Sequence, residues 1–364
     1  MDDLKSILQW AENANLAGDK ISRDLEELAQ LKELDISFAA DVMDLPESIG
    51  ALKNLELLDI SGCKYIEKLP ESICELSNLK ELDLSSCDKL TTLPENIGKL
   101  SNLTTLNLNE CESLNSLPES ICELNNLKHL DLSFCESLTT LPENIGKLEK
   151  LKHLDLSFCD KLTTLPESIS KLTSLKRLDL THCQNLNLDF LKSISLPHLE
   201  VLRLGRLNIT QLPDAIGWLN QLRTLDLNRC HQLTTLPRTM SHLSHLENLN
   251  LSGCQSMQEL PEGIWQLKRL KMSGVPSRFL LKSWSKRLAV LISSFSPNKD
   301  AADVGLIGSA DNDLADNDLA DNNLADNNLA DNELADKEST DEEWDDNYWN
   351  GDWSDSEWAN KDKT

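Results

Sequence analysis

Ten cysteines and seven histidines carry the side chains that could bind a metal, form disulfides or act as nucleophile and base. Eight of the cysteines, Cys63, Cys87, Cys111, Cys135, Cys159, Cys183, Cys230 and Cys254, fall in one register, most of them separated by the same interval. A tetrahedral metal site needs ligands that converge on a point, whereas regular spacing lays them out in a line, so metal binding is disfavoured. Cys74 and Cys122 share a second register and read as filler on the opposite side. His242 and His245 have the close spacing of a ligand pair, but no further ligand lies near them in the chain. A nucleophile, base and orienting group cannot be assembled, and phosphate-loop and kinase signatures are missing. The expectation is a chain with no catalytic residue, no metal and no cofactor.

The register that aligns the cysteines aligns everything else. Leu79, Leu82, Leu84, Cys87, Leu90, Leu93, Pro94, Ile97 and Leu100 recur one interval later as Leu103, Leu106, Leu108, Cys111, Leu114, Leu117, Pro118, Ile121 and Leu124. Units start at Leu31, Leu55, Leu79, Leu103, Leu127, Leu151, Leu175, Leu199, Leu222 and Leu246, all evenly stepped except for a shortened step from Leu199 to Leu222. Leu-x-x-Leu-x-Leu contains the alternation of a short strand, so its two close leucines face one side. Leu-Pro-x-x-Ile-x-x-Leu has helix-like spacing, and proline can open a helical turn, where its missing N–H would be unpaired anyway. One unit cannot bury its own leucines, but stacked units bury them against each other.

These ten matches resemble the leucine-rich-repeat family over about residues 31–270. The Leu-Pro-Glu-Ser-Ile form is similar to the intracellular repeats of plant disease-resistance and Ras-group proteins and of related bacterial proteins. The resemblance implies an α/β leucine-rich-repeat solenoid, a curved horseshoe with a parallel concave sheet and a short helical or irregular convex side, to which this chain's own residues add expected helical caps and a disordered acidic tail. It implies an inward-pointing cysteine bonded to loop backbone, and a concave strand face of the kind that commonly binds proteins. Some bacterial relatives couple such repeats to a ubiquitin-ligase domain with a catalytic cysteine; no cysteine follows Cys254, so that reading fails.

Counting from the first leucine of each unit, positions 3, 5, 7 and 8 should project from the concave sheet. Position 5 is mostly acidic, and neighbouring carboxylates at strand spacing repel by about 1 kcal/mol in water. Internal duplication points to the presented surface. Residues 69–103 and 117–151 are copies, identical at 28 of 35 positions, yet Glu81 is replaced by His129 and Ser86 by Phe134. Phe134 and Phe158 should stack on adjacent strands, flanked by His129, His153 and His182, with Arg177, Arg203, Arg206 and Arg229 beyond. Rings beside arginines have the composition of an interface hot spot, and they specify a protein partner with an acidic or aromatic surface. The blander reading is that the two phenylalanines merely tuck against each other beside their loops.

Four segments are expected. Residues 1–30 form a helical cap using Leu4, Ile7, Leu8 and Trp10; residues 31–272 form the ten-repeat solenoid; residues 273–296 form an amphipathic capping helix; residues 297–364 form the tail. From Asp311 onward the chain has 19 acidic residues against three lysines, which accounts for −16 of the net charge of −26. So acidic a chain is a poor partner for nucleic acid. The tail's Trp344, Tyr348, Trp349, Trp353 and Trp358 among acids suit a binding segment, including self-contact with the arginine and phenylalanine patch. The N-terminus lacks a basic leader and no apolar run is long enough to span a bilayer. The basic amphipathic helix leaves a membrane surface as the minor alternative. The expectation is a cytoplasmic, non-catalytic interaction scaffold or adaptor. The alternatives are a bacterial effector translocated into a host cell without a signal peptide and, behind it, an enzyme.

Overall fold

The computed structural model describes residues 1–16, 18, 20–275 and 279. The chain divides into two units, Met1–Pro297 and Asn298–Thr364, and the second lies wholly outside the described residues. So do the tail and, except for its first residues and Phe279, the expected helix at 273–296.

Each unit contributes one three-residue strand: β1 (Glu33–Asp35), β2 (Leu57–Asp59), β3 (Glu81–Asp83), β4 (Thr105–Asn107), β5 (His129–Asp131), β6 (His153–Asp155), β7 (Arg177–Asp179), β8 (Val201–Arg203), β9 (Thr224–Asp226), β10 (Asn248–Asn250) and β11 (Lys271–Ser273). They form one parallel sheet in chain order. The register is set by the repeat length, so Leu130 pairs with Leu154 and Leu154 with Leu178. The middle residue of each strand from Leu34 to Leu249 is buried; of the residues on either side of it, Thr105, Asp155, Asp179, Asp226 and Asn250 are buried too and the others are at least partly exposed.

The sheet has eleven strands, not the ten expected. The step from β10 to β11 is shortened, like the one from Leu199 to Leu222, and it puts Met272 where every other strand has leucine. β9 also follows a shortened step but keeps its leucine, Leu225, whereas β11 has the shortened step and no leucine. Ser273, expected to begin a helix, is the last residue of β11.

On the other side of each unit a proline in extended conformation leads into a single 3₁₀ turn. Pro70 at φ −68°, ψ 145° precedes Glu71–Glu75, and Ile73 N–H donates to the Pro70 carbonyl at 3.1 Å. Only a few residues separate the proline from the next strand's first leucine, which leaves room for one tight turn rather than an α-helix. Ile73, Ile97, Ile121 and Ile145 from these turns, with the strand leucines, make one continuous core. The turns pack tightly: at Gly98 an added Cβ would lie 2.3 Å from the Ser120 carbonyl oxygen. In the unit that starts at Leu175 the Leu-Pro motif is missing, and a longer 3₁₀ segment, Leu188–Ser193, takes the place of the usual turn. Beside it lies a groove of about 660 Å³ with Trp218, 71% exposed, on its wall.

Before β1, helix α1 (Asp2–Asn13) buries Leu4, Ile7 and Ala11, and Trp10 Nε1 donates to the Asp44 carbonyl at 3.0 Å. The one-turn helix α2 (Leu25–Ala29) follows, its first amides capped by the Asp24 carboxylate.

Candidate functional site

The cysteine row is structural scaffolding. All ten cysteines are free and buried. Those at the shared position donate from Sγ to a backbone carbonyl of the preceding unit: Cys111 to Leu84 at 3.2 Å, Cys135 to Leu108 at 3.3 Å, Cys183 to Leu156 at 2.9 Å. Burial pushes the Cys111 and Cys183 thiols up to about 12. Among the described residues there is no cluster of three or more metal-ligating side chains.

The strand face is built around position 5. There the Asp or Asn side chain accepts the backbone N–H two residues on: Asp83 from Ser85 at 2.9 Å, Asn107 from Asn109 at 3.1 Å, Asp155 from Ser157 at 2.8 Å. That bond ends the strand and starts a four-residue turn, closed by bonds such as Cys135 N–H to the Leu132 carbonyl at 3.2 Å. The third residue of this turn is position 8, and its φ is positive in all ten units that start from Leu31 to Leu246. Gly62 and Gly253 occupy it at φ 69° and 75°. Elsewhere the occupant carries a side chain: Phe38, Ser86, Glu110, Phe134, Phe158, His182, Arg206 and Arg229, with φ between 53° and 66°. Glycine is the default for this conformation, and side chains there cost roughly 1 kcal/mol each.

Position 8 therefore forms a row of side chains along the strand ends, several of them in contact with the next. Phe38, 76% exposed, lies over Gly62, whose missing Cβ would be 2.5 Å from the ring. The Ser86 hydroxyl donates to the Glu110 carboxylate at 2.8 Å. Phe134 and Phe158 stack with centroids 4.3 Å apart and planes 5° from parallel, and His182 continues the column 4.7 Å from Phe158. Arg206 and Arg229 come next and make no ion pair among the described residues.

Position 3 forms the second row. His129 and His153 meet edge to face at 4.5 Å, and Arg177 pairs in register with His153. Burial, with His129, Arg177, Lys152 and Lys176 around it, holds the His153 imidazole down at about 3, so it is neutral. Lys128 and Lys152 at position 2 join this row without an ion pair among the described residues; they were not among the expected site residues, although they fall on the same frame as the Lys32–Glu56 and Lys176–Glu200 pairs.

Between the rows lies the floor, Asp131, Asp155 and Asp179, with Ser133 and Ser157 buried beside them. Burial, with Asp179 and Asp131 on either side, pushes the Asp155 carboxyl well above the usual carboxylate range. Arg203 lies in this floor, partly exposed. It stands at position 5, and its guanidinium bonds Asp179 at 3.1 Å with both side chains largely buried. The predicted residues are thus brought together as two rows, with Arg203 set between them as the counter-ion of the floor.

A family model described as a leucine-rich repeat region matches residues 6–92, 82–178 and 175–288. No curated protein sequence matches the chain. Among solved structures, the leucine-rich repeat domain of the type III effector XopL is 23% identical, with TM-score 0.49, 77% of this chain and 96% of that one covered. The ectodomain of the Arabidopsis receptor kinase HAESA, solved with an extended IDA peptide hormone, is 23% identical with TM-score 0.49. The match covers 76% of this chain and 54% of that one, about half the ectodomain's length. Internalin C2 from Listeria monocytogenes is 21% identical with TM-score 0.37, covering 50% and 76%. With three family matches that together run from residue 6 to residue 288, the chain belongs to the leucine-rich repeat proteins.

Proposed function

We propose that the chain is a non-catalytic interaction scaffold that holds a protein partner on its strand face, across β5 to β9. Leucine-rich repeat proteins are usually interaction modules, and the face has what such a role needs. The observation that carries the reading is the column Phe134, Phe158 and His182, held at φ 58°, 59° and 66° where glycine would fit without strain. Strain of this kind persists where the surrounding structure enforces it, and it gathers at functional surfaces. Phe134 remains 37% exposed after stacking, so tucking the two rings together does not account for the whole surface. Arg206, Arg229, Lys128 and Lys152 supply cations around the rings, which favours a partner with an acidic or aromatic surface. Ten unpaired, buried thiols suit a reducing compartment such as the cytoplasm.

The test is a pull-down from lysate with Phe134→Ser/Phe158→Ser beside the native chain. The double variant is expected to lose the captured partner while keeping its circular-dichroism melt, since neither ring is in the core. Capture at the native level would remove the strand face from consideration.

A further inference from the structure

The position-8 row changes character along the sheet, and the change has a direction. At β3 and β4 it ends on the Glu110 carboxylate, which Ser86 holds in place. At β5 and β6 it is a flat aromatic stack. At β8 and β9 it is two guanidinium groups that the described residues do not neutralise. The floor there holds one cation between two acids: Arg203 bonds Asp179 at 3.1 Å and pairs in register with Asp226, so its guanidinium offsets both carboxylates and leaves the position-8 arginines to an incoming anion.

We infer that the face takes one extended peptide segment laid across the strands. A large aromatic side chain of the segment rests on Phe134 and Phe158, and two of its carboxylates reach Arg206 and Arg229. The inference rests on the docking reading above and specifies the ligand of that same face. Strand spacing fixes the pattern. Neighbouring strands lie about 4.8 Å apart and an extended chain advances about 3.3 Å per residue. Phe158 to Arg206 is two strands, about 10 Å, or about three peptide residues. Arg229 is one strand further, and its stem runs on toward β10, with Cγ 3.1 Å from where a Gly253 Cβ would be. Its guanidinium therefore meets a residue about five from the aromatic anchor. The carboxylates lie on the Arg side of the anchor, because the opposite direction leads to Glu110. Bidentate Arg–carboxylate bonds give this end its specificity.

Fluorescence anisotropy on the full chain at low salt tests it, with short labelled peptides on a Gly/Ser background as probes. One carries Trp with Glu three and five residues away; a second has the same composition with both Glu adjacent to the Trp; a third has Trp alone and a fourth the two Glu alone. The first is expected to bind about tenfold tighter than the others. Arg206→Ala/Arg229→Ala should erase that advantage and leave the Trp-only peptide unaffected. Phe134→Ser/Phe158→Ser should weaken every Trp-containing peptide. Equal affinity for the two Trp–Glu spacings, an advantage that survives loss of both arginines, or no binding by any peptide overturns the inference. The docking reading stands apart from these results: it fails if the phenylalanine variant still captures partner in the pull-down or still binds the Trp peptides like the native chain.

Discussion

A single backbone angle, repeated, sets what the strand face can display. Position 8 sits at positive φ in ten successive units, yet glycine occupies it in only two; the rest carry rings, an acid, a hydroxyl or guanidinium groups. The usual order of alanine over glycine should reverse here. Glu110 has φ 59°, and replacing it by either residue removes the same surface bond to Ser86. Glu110→Gly is therefore expected to be more stable than Glu110→Ala by about 1 kcal/mol, where most sites favour alanine by a similar amount. Urea midpoints for the two variants decide it, and an alanine variant at least as stable as the glycine one would mean that the turn relaxes when the side chain is cut back. The residues of this row were legible in the sequence, because a repeat frame assigns every side chain a place. Their strain was not, since phenylalanine and arginine give no hint of positive φ. The available signal was Gly62 and Gly253 at the same frame position as Phe134.

At the scale of the strand, the acidic row is a cost that the sheet carries for its turns. Each position-5 Asp or Asn is needed as an acceptor for the amide two residues on, and stacking then places neighbouring carboxylates in line. Arg203 relieves Asp179, and Asn107 bonds the Asp83 carboxylate at 3.0 Å, but Asp155 has an acid on both sides. Asn107 and Asn250 already cap their turns through Oδ1, so Asp155→Asn should keep the turn and lose the burden. The sign follows from proton binding. A carboxyl whose folded pKa is raised holds its proton over a range where the unfolded chain has released it, so its contribution to stability falls as pH rises through that range. Asp155→Asn should therefore raise the urea midpoint at about pH 8 and give no gain near pH 3, where both states are protonated. His153 titrates in the native chain and in the variant alike and drops out of the difference. A gain that is the same at both pH values would assign the effect to packing instead. Strands β1 to β10 were legible because their leucines keep one register. Strand β11 was hidden by a methionine and a shortened step, and the Arg203–Asp179 ion pair was not legible because that frame position was read for what it could present rather than for the carboxylates stacked on either side.

Across the repeat array, the row of buried thiols can report how the array comes apart. A stacked array holds together through contacts between neighbours, so its ends open at lower free energy than its middle. The cysteines at the shared position mark successive units from Cys63 to Cys254, each bonded to a carbonyl of the unit before it. Native thiols should be inert: thiolate is the reactive form, and burial keeps Cys111, with its pKa at about 12, protonated and covered. Alkylation then measures opening. The front is covered by α1 and α2. Toward the back, Cys254 is 3% exposed, where the inner members of the row are fully covered. The irregular 3₁₀ segment Leu188–Ser193 also interrupts the regular turns on this side of the middle. In urea below the main transition, labelling followed by peptide mass spectrometry is expected to find Cys254 modified first and Cys111 and Cys135 last, with Cys230 between them. A single rate shared by all eight would show instead that the units open together, and that neither the break at Leu188–Ser193 nor the distance from an end divides the array into separately opening parts.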